Sequence, residues 1–211
     1  MTGFDSWCTV VWMIEARPQL LSRLARSTRE QTIPGMFLQA VMASAQVLGD
    51  DVVERVRASS GGAGPLVESY RYPVGCMLEM LDIVGQAGET QGQSYGETLY
   101  LSGRDAGLAY VRSAVGRVRA LVASASGLHR TFEGIPSTAL LSVNFGERSY
   151  RRLTPTSGEL SFNQDLIGSA WNIGLVVAST SAALALEPEA LRFEAEVTDA
   201  DASSFLLHLS W

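Results

Sequence analysis

Gly92-Gln93-Ser94-Tyr95-Gly96 has the Gly-x-Ser-x-Gly spacing of a nucleophile elbow, in which a strained strand-to-helix turn exposes a serine beside an oxyanion hole. His208 follows Ser94 with Asp165 and Asp199 between them, the chain order that α/β-hydrolases use. That chemistry needs a buried parallel strand ahead of the serine. Here the preceding run, Gln86-Ala87-Gly88-Glu89-Thr90-Gln91, is polar and broken by glycine. The same residues make a better helix start: Ser94 as N-cap with Glu97 three positions on is a capping box. Cys76 with a histidine as its base is the other nucleophile to consider. It lies beside Met77 and Met80 in an apolar segment, where a cysteine behaves as a small inert hydrophobe. No catalytic residue is assigned, and an enzyme of specialised metabolism using Ser94 or Cys76 remains a rival reading.

Composition removes further classes. All sixteen basic residues are arginine, so Schiff-base chemistry, pyridoxal phosphate attachment and the Gly-Lys-Ser/Thr phosphate loop are excluded. Two histidines (His129, His208) and two cysteines (Cys8, Cys76) cannot make an all-Cys/His zinc site at the usual spacings, and no metal is expected. Asp199 and Asp201 lack the further spaced ligands of a cation loop and suit a hairpin turn. The net charge of −6 over 211 residues argues against nucleic acid. Arg23, Arg26 and Arg29, and Arg151 and Arg152 beside Arg148, are expected on solvated faces with acidic neighbours. Residues 166–186 carry no charge, but Asn172 and several serines interrupt them and acids flank them, which suits a buried helix and no membrane span. The start, with Asp5 before the short apolar run Cys8–Ile14, lacks the pattern of a secretory signal, and the chain is expected to be cytoplasmic.

The elements that must position any site follow from periodicity. Residues 18–30 read as a helix with Leu20, Leu21 and Leu24 on one side, and a second helix starts at Pro34 and carries Phe37, Ala40, Val41, Ser44 and Leu48. A short helix over 50–58 ends in the glycine-rich stretch 59–64. Pro73 opens a helix whose apolar arc is wide enough to face several neighbours. A long helical region runs from Gly96 to about Ala125 with the stripe Leu108, Val111, Val115, Val118, Val122 and Ala125. Gly103 and Gly107 let another segment approach closely near its start. The period then changes to two at Leu141, Val143 and Phe145, predicting a strand that continues through 150–153, with Leu160 and Phe162 on the return. After a helix over 165–185, a second hairpin pairs Leu191–Val197 with Phe205–Trp211. His208 is expected opposite the core side near Glu194 or Glu196. The class is α+β: N-terminal helices packed on a C-terminal four-stranded antiparallel sheet of order β-β-α-β-β. Residues 1–33 are expected to form an N-terminal helical arm and 34–211 a single domain.

Gly35-Met36-Phe37, Tyr72-Pro73, Gly116-Arg117, Ile135-Pro136, Asn144-Phe145-Gly146, Trp171-Asn172-Ile173-Gly174 and the terminal Trp211 occur in the order found in a large myxobacterial family of paralogous proteins. The chain resembles that family over about residues 20–211. The family is distantly similar to vinyl-reductase-type ligand-binding domains, haem nitric-oxide-binding domains and the core subunits of the TRAPP tethering complex. The resemblance implies helices on an antiparallel sheet with a cavity between them that takes haem, a small molecule or an acyl chain. Haem is disfavoured: Tyr110-Val111-Arg112-Ser113 departs from the Tyr-x-Ser-x-Arg motif, and neither histidine sits where a proximal ligand would. The TRAPP likeness implies a lining or acylated role for Cys76. A cavity needs apolar walls with a few polar handles. Met36, Phe37, Met77, Met80, Tyr95, Tyr100 and Tyr110 are the expected lining, with plain core packing as the competing reading, and Trp171 and Trp211 read as core or interface anchors. The expected function is a non-catalytic sensor in signalling or regulation, binding a small apolar molecule or acyl chain. It would pass its state to a protein partner, with residues 59–64 and 85–96 as moving parts. A scaffold without ligand is the alternative, and a homodimer is expected.

Overall fold

The computed structural model describes residues 15–59, 64–187 and 190–211. Cys8 with the apolar stretch around it, and the centre of the 59–64 glycine cluster, lie outside the described residues. Helix α1 (Arg17–Arg26) leads through β1 (Thr32–Pro34) into α2 (Gly35–Leu48) and α3 (Asp50–Ser59). Strand β2 (Arg71–Pro73) pairs antiparallel with β1 and feeds α4 (Val74–Thr90). This short ribbon was not expected from the sequence; at three residues per strand it is too brief to show a period. Pro34 and Pro73 sit immediately before α2 and α4, where the missing N–H is not needed. Helices α5 (Tyr95–Arg112), α6 (Ala114–Glu133) and α7 (Ile135–Ser142) follow. Then come β3 (Glu147–Thr154), β4 (Ser157–Asn163), α8 (Ser169–Leu184), β5 (Arg192–Val197) and β6 (Phe205–Ser210).

The larger sheet is antiparallel with strand order β3-β4-β6-β5, the expected pair of hairpins joined through β4 and β6. Alternation sorts its faces: Leu160, Phe162, Phe205, Leu207 and Leu209 are buried, and Phe162 stacks on Phe205 with centroids 4.3 Å apart. His208 lies opposite Glu194 and Glu159 on the other face, with Nδ1 3.4 Å from Glu159 Oε2.

Helices α5 and α8 meet at backbone distance. A Cβ on Gly103 would collide with the Trp171 carbonyl, one on Gly107 with the Leu175 carbonyl, and one on Gly174 with the Tyr100 carbonyl. The close approach expected at Gly103 and Gly107 is therefore made by α8, and Gly174 reciprocates it. Ser44 Oγ donates to Ser102 Oγ at 3.1 Å and ties α2 to the same helix. The uncharged 166–186 stretch is, as expected, a buried helix.

The N-terminal helix is fastened by charge. Arg23 is fully buried, donates to the carbonyls of Leu166 (3.0 Å) and Ile167 (3.2 Å), and pairs with the equally buried Glu15. Glu15 in turn accepts from the Ala170 N–H at 2.7 Å and the Ser169 hydroxyl at 3.2 Å, at the positive end of α8. This corrects the expectation of a solvated Arg23. Its stem shares the face of Leu20, and the carbonyls of Leu166, Ile167 and Asp201 and the Glu15 carboxylate replace water around the guanidinium. Arg148 departs in the same way: its side chain is 6% exposed and paired with the buried Asp165.

The expected strand at 141–145 is instead the end of α7 and the connection to β3. Gly134 closes α6, Pro136 occupies the first turn of α7, and Thr138 and Ser142 hydroxyls bond back to carbonyls one turn earlier. Alternation over so few residues could not separate the two outcomes, and Leu140 and Leu141 are exposed. The long helical region expected over 96–125 is divided at Ser113 between α5 and α6, and α6 is itself two helical stretches that meet at a kink at Gly127 (φ 78°) before ending at Glu133.

Gly103→Ala and Gly174→Ala are expected to lower stability by about 1–3 kcal/mol, because the obstructing atoms are backbone. Gly64→Ala, which meets nothing within 4 Å, is expected to stay within ~0.5 kcal/mol. Urea unfolding midpoints of the three variants check this. Arg23→Met strands Glu15 in the core and is expected to cost about 3–5 kcal/mol by the same measurement.

Candidate functional site

Ser113 ends α5 and begins α6. Its N–H returns to Ala109 and its hydroxyl accepts from the Gly116 N–H at 3.0 Å. The turn is tight enough that a Cβ on Gly116 would strike the Tyr110 carbonyl. That corner sets Tyr110 at the edge of a cavity of about 310 Å³, bounded by the end of α5, by α6, α7 and α8, and by Phe37 of α2 and Phe162 of β4. The size lies at the lower end of the range for small-molecule sites.

The walls are mostly apolar. Val111, Val118 and Val122 from the long stripe, Ile135 and Ala139 from α7, and Leu175 and Val176 from α8 contribute most of them. Val118 and Val122 are exposed, so the stripe on α6 serves a cavity wall and not a closed core. Trp171 stands against Phe37 edge-to-face, centroids 5.6 Å apart, and is itself only 1% exposed.

The polar side chains of the wall are neutral or positively charged. No aspartate or glutamate is among the lining residues. Of the three lining arginines, Arg130 lies 3.4 Å from Glu133 and Arg148 pairs with Asp165. Arg119 donates to the Thr138 hydroxyl and has no acid partner among the described residues. Tyr110 Oη and Trp171 Nε1 are buried without a hydrogen-bond partner among the described residues. Burial pushes the Tyr110 phenol up, against a smaller opposing pull from Arg119.

Of the eight residues singled out in the sequence, Phe37 and Tyr110 line this cavity. Met77 and Met80 are fully buried in the core, and Met36 and Cys76 pack at its edge. Tyr100 is buried on α5. Tyr95 is buried too, and its phenol donates to Asp82 Oδ1 at 3.1 Å, beside Arg17. Cys76 is half-buried on α4, and its thiol is pushed up by burial and by the charge of Glu79. Ser94 caps α5: its hydroxyl accepts from the Glu97 N–H at 3.2 Å, and the Glu97 carboxylate returns to the Ser94 N–H, so the expected capping box forms. Sequence reasoning missed Arg119 and the α7 wall, and took Trp171 for an anchor alone. The signals present were the stripe continuing onto α6 and the Gly116 corner.

The arrangement of helices on a four-stranded antiparallel sheet is similar to that of solved H-NOX structures. A Tt H-NOX double variant aligns with a TM-score of 0.63 at 11% identity, over 85% of this chain and 95% of that one. An Fe(II) unliganded H-NOX mutant from K. algicida gives 0.60 at 12% identity, over 84% and 96%. An oxygen-binding H-NOX domain related to soluble guanylate cyclases, solved as its oxygen complex, gives 0.56 at 12%, over 84% and 93%. The chain therefore has an H-NOX-like α+β fold. It belongs to the family described as protein of unknown function (DUF2378), which it matches over residues 26–211. No curated protein matches it. Among the described residues, no helix is long and apolar enough to cross a membrane.

One of the similar structures concerns haem redox potential and porphyrin distortion, and whether this cavity fits that group depends on the ligands its wall offers. Haem iron is held by histidine, cysteine, methionine or tyrosine. The wall has none of the first three. His129 lies outside it, with Nδ1 2.5 Å from Tyr150 Oη and Nε2 3.0 Å from the Pro155 carbonyl, and its ring packs on Trp211. His208 is on the outer sheet face. Tyr110 alone could ligate, and burial disfavours the phenolate it would need. The residues do not fit haem. Titration of the purified chain with haemin is expected to give no stoichiometric, saturating Soret band.

Proposed function

We propose that the protein is a non-catalytic sensor domain whose cavity beside α6, α7 and α8 takes a small apolar molecule or an acyl chain. The observation that carries this is the cavity itself: mostly apolar walls with Tyr110 Oη and Trp171 Nε1 buried and without a partner among the described residues. An unmet buried polar group is destabilising by about 1–3 kcal/mol, so a ligand that supplies the partner gains what the empty protein lacks. A ligand acts as a signal only if it binds one arrangement of the protein better than another. The α6–α7 wall is the element to move, since it carries the exposed Val115, Val118, Leu140 and Leu141 while α5 and α8 are locked together. A cytoplasmic location and a protein partner belong to this reading. A self-associating scaffold is favoured by the same exposed residues on α6 and α7 and would show as concentration-dependent mass in light scattering.

Native mass spectrometry of freshly purified protein, followed by denaturation, is expected to release a bound non-covalent molecule. Adding it back at a hundred times its dissociation constant should stabilise the fold by about 2.7 kcal/mol. Ala123→Trp, which fills the cavity from α6, is expected to abolish both effects, and Cys76→Ser to preserve them. A clean mass with no stabilisation by any apolar compound tried would sink the reading.

A further inference from the structure

The charged groups that line the cavity are all cations, and its two buried polar atoms without a partner among the described residues, Tyr110 Oη and Trp171 Nε1, can both donate. Within a chain of net charge −6, no carboxylate lines the site, while three arginines do. Glu133 and Asp165 answer two of them. Among the described residues, Arg119 is held by the neutral hydroxyl of Thr138, which itself donates to the Gly134 carbonyl at 2.8 Å, and by no carboxylate. A guanidinium is never deprotonated in a protein, so Arg119 brings a standing positive charge to an apolar wall. The indole N–H of Trp171 can only donate, and the Tyr110 phenol, kept protonated, has a proton to give. A complementary ligand must accept hydrogen bonds and carry about one negative charge. A neutral carbonyl would leave Arg119 unanswered, and a dianionic phosphate would bring more charge than one guanidinium offsets.

We propose that the cavity binds an amphipathic monocarboxylic acid, its carboxylate taken by Arg119, Tyr110 and Trp171 and its apolar body by the walls of α6, α7 and α8. This rests on the reading of the cavity as a ligand site. Charge-assisted hydrogen bonds to a carboxylate are roughly twice as strong as neutral ones, so the head group decides between otherwise similar ligands. The apolar body adds affinity in proportion to the area it removes from water.

The test uses decanoic acid and decan-1-ol, which share a chain and differ in the head group, titrated into the full-length protein by calorimetry near neutral pH. The acid is expected to bind one to one and at least ten-fold more tightly than the alcohol. Arg119→Gln is expected to bring the acid down to the alcohol's affinity and leave the alcohol unchanged. Arg119→Lys should keep part of the preference, and Tyr110→Phe should weaken the acid several-fold. If acid and alcohol bind the wild-type protein equally, the carboxylate proposal is overturned while the cavity reading stands. This comparison needs no variant to fold. If only the wild type prefers the acid and Arg119→Gln, folded by circular dichroism, retains the full preference, the assignment to Arg119 is overturned. If neither compound binds and the native mass is clean, the cavity reading falls and takes this one with it.

Discussion

Everything around the cavity depends on two helices touching through their backbones. Gly103 and Gly107 on α5 and Gly174 on α8 each occupy a place where a methyl group would meet a carbonyl oxygen or backbone atom of the other helix. Packing this close leaves no room for side chains at the crossing, so the bulk of α8 projects elsewhere. Trp171, whose own carbonyl abuts Gly103, becomes part of the cavity wall and stands against Phe37. The position of the largest buried side chain is thus set by the smallest residue on the neighbouring helix. A rigid pair of this kind gives the more exposed α6–α7 wall something to be measured against.

The chain separates its charges by purpose. Arg23 with Glu15, and Arg148 with Asp165, are buried pairs whose remaining donors find backbone carbonyls. Such pairs contribute little net stability over apolar replacements, yet they are intolerant of losing one member. They fix where α1 and β3 sit. Surface pairs such as Arg17–Asp82 and Arg151–Glu159 are half-solvated by comparison and weigh less. Arg119 belongs to neither group, which is why it stands out.

The fold class, the two hairpins and the capped start of α5 were legible in the sequence because each has a local cause: alternation, turn residues, or a serine three places before a glutamate. Gly103 and Gly107 announced a close approach without saying to what. The strand expected over Leu141, Val143 and Phe145 failed because period two over five residues also fits the last turn of a helix and its exit. The cavity was less visible. Its wall draws on residues from Ile33 to Ala183, and no local pattern distinguishes an apolar stripe that meets a core from one that meets a space. Phe37 and Tyr110 lie on that wall, but an aromatic residue suits a core and a cavity alike, so neither marks the cavity's place. Nothing local in the sequence distinguishes Arg119 from the other helix arginines; what does is the lack of an acid partner among the described residues.

Glu15 is the hydrogen-bond acceptor for the first turn of α8, at Ser169 and Ala170. Trp171 is the next residue along. The Glu15 carboxylate thus holds the start of the helix that floors the cavity, and Arg23 pairs with it. Loss of that carboxylate would leave the Ala170 N–H without its acceptor, one residue before the indole.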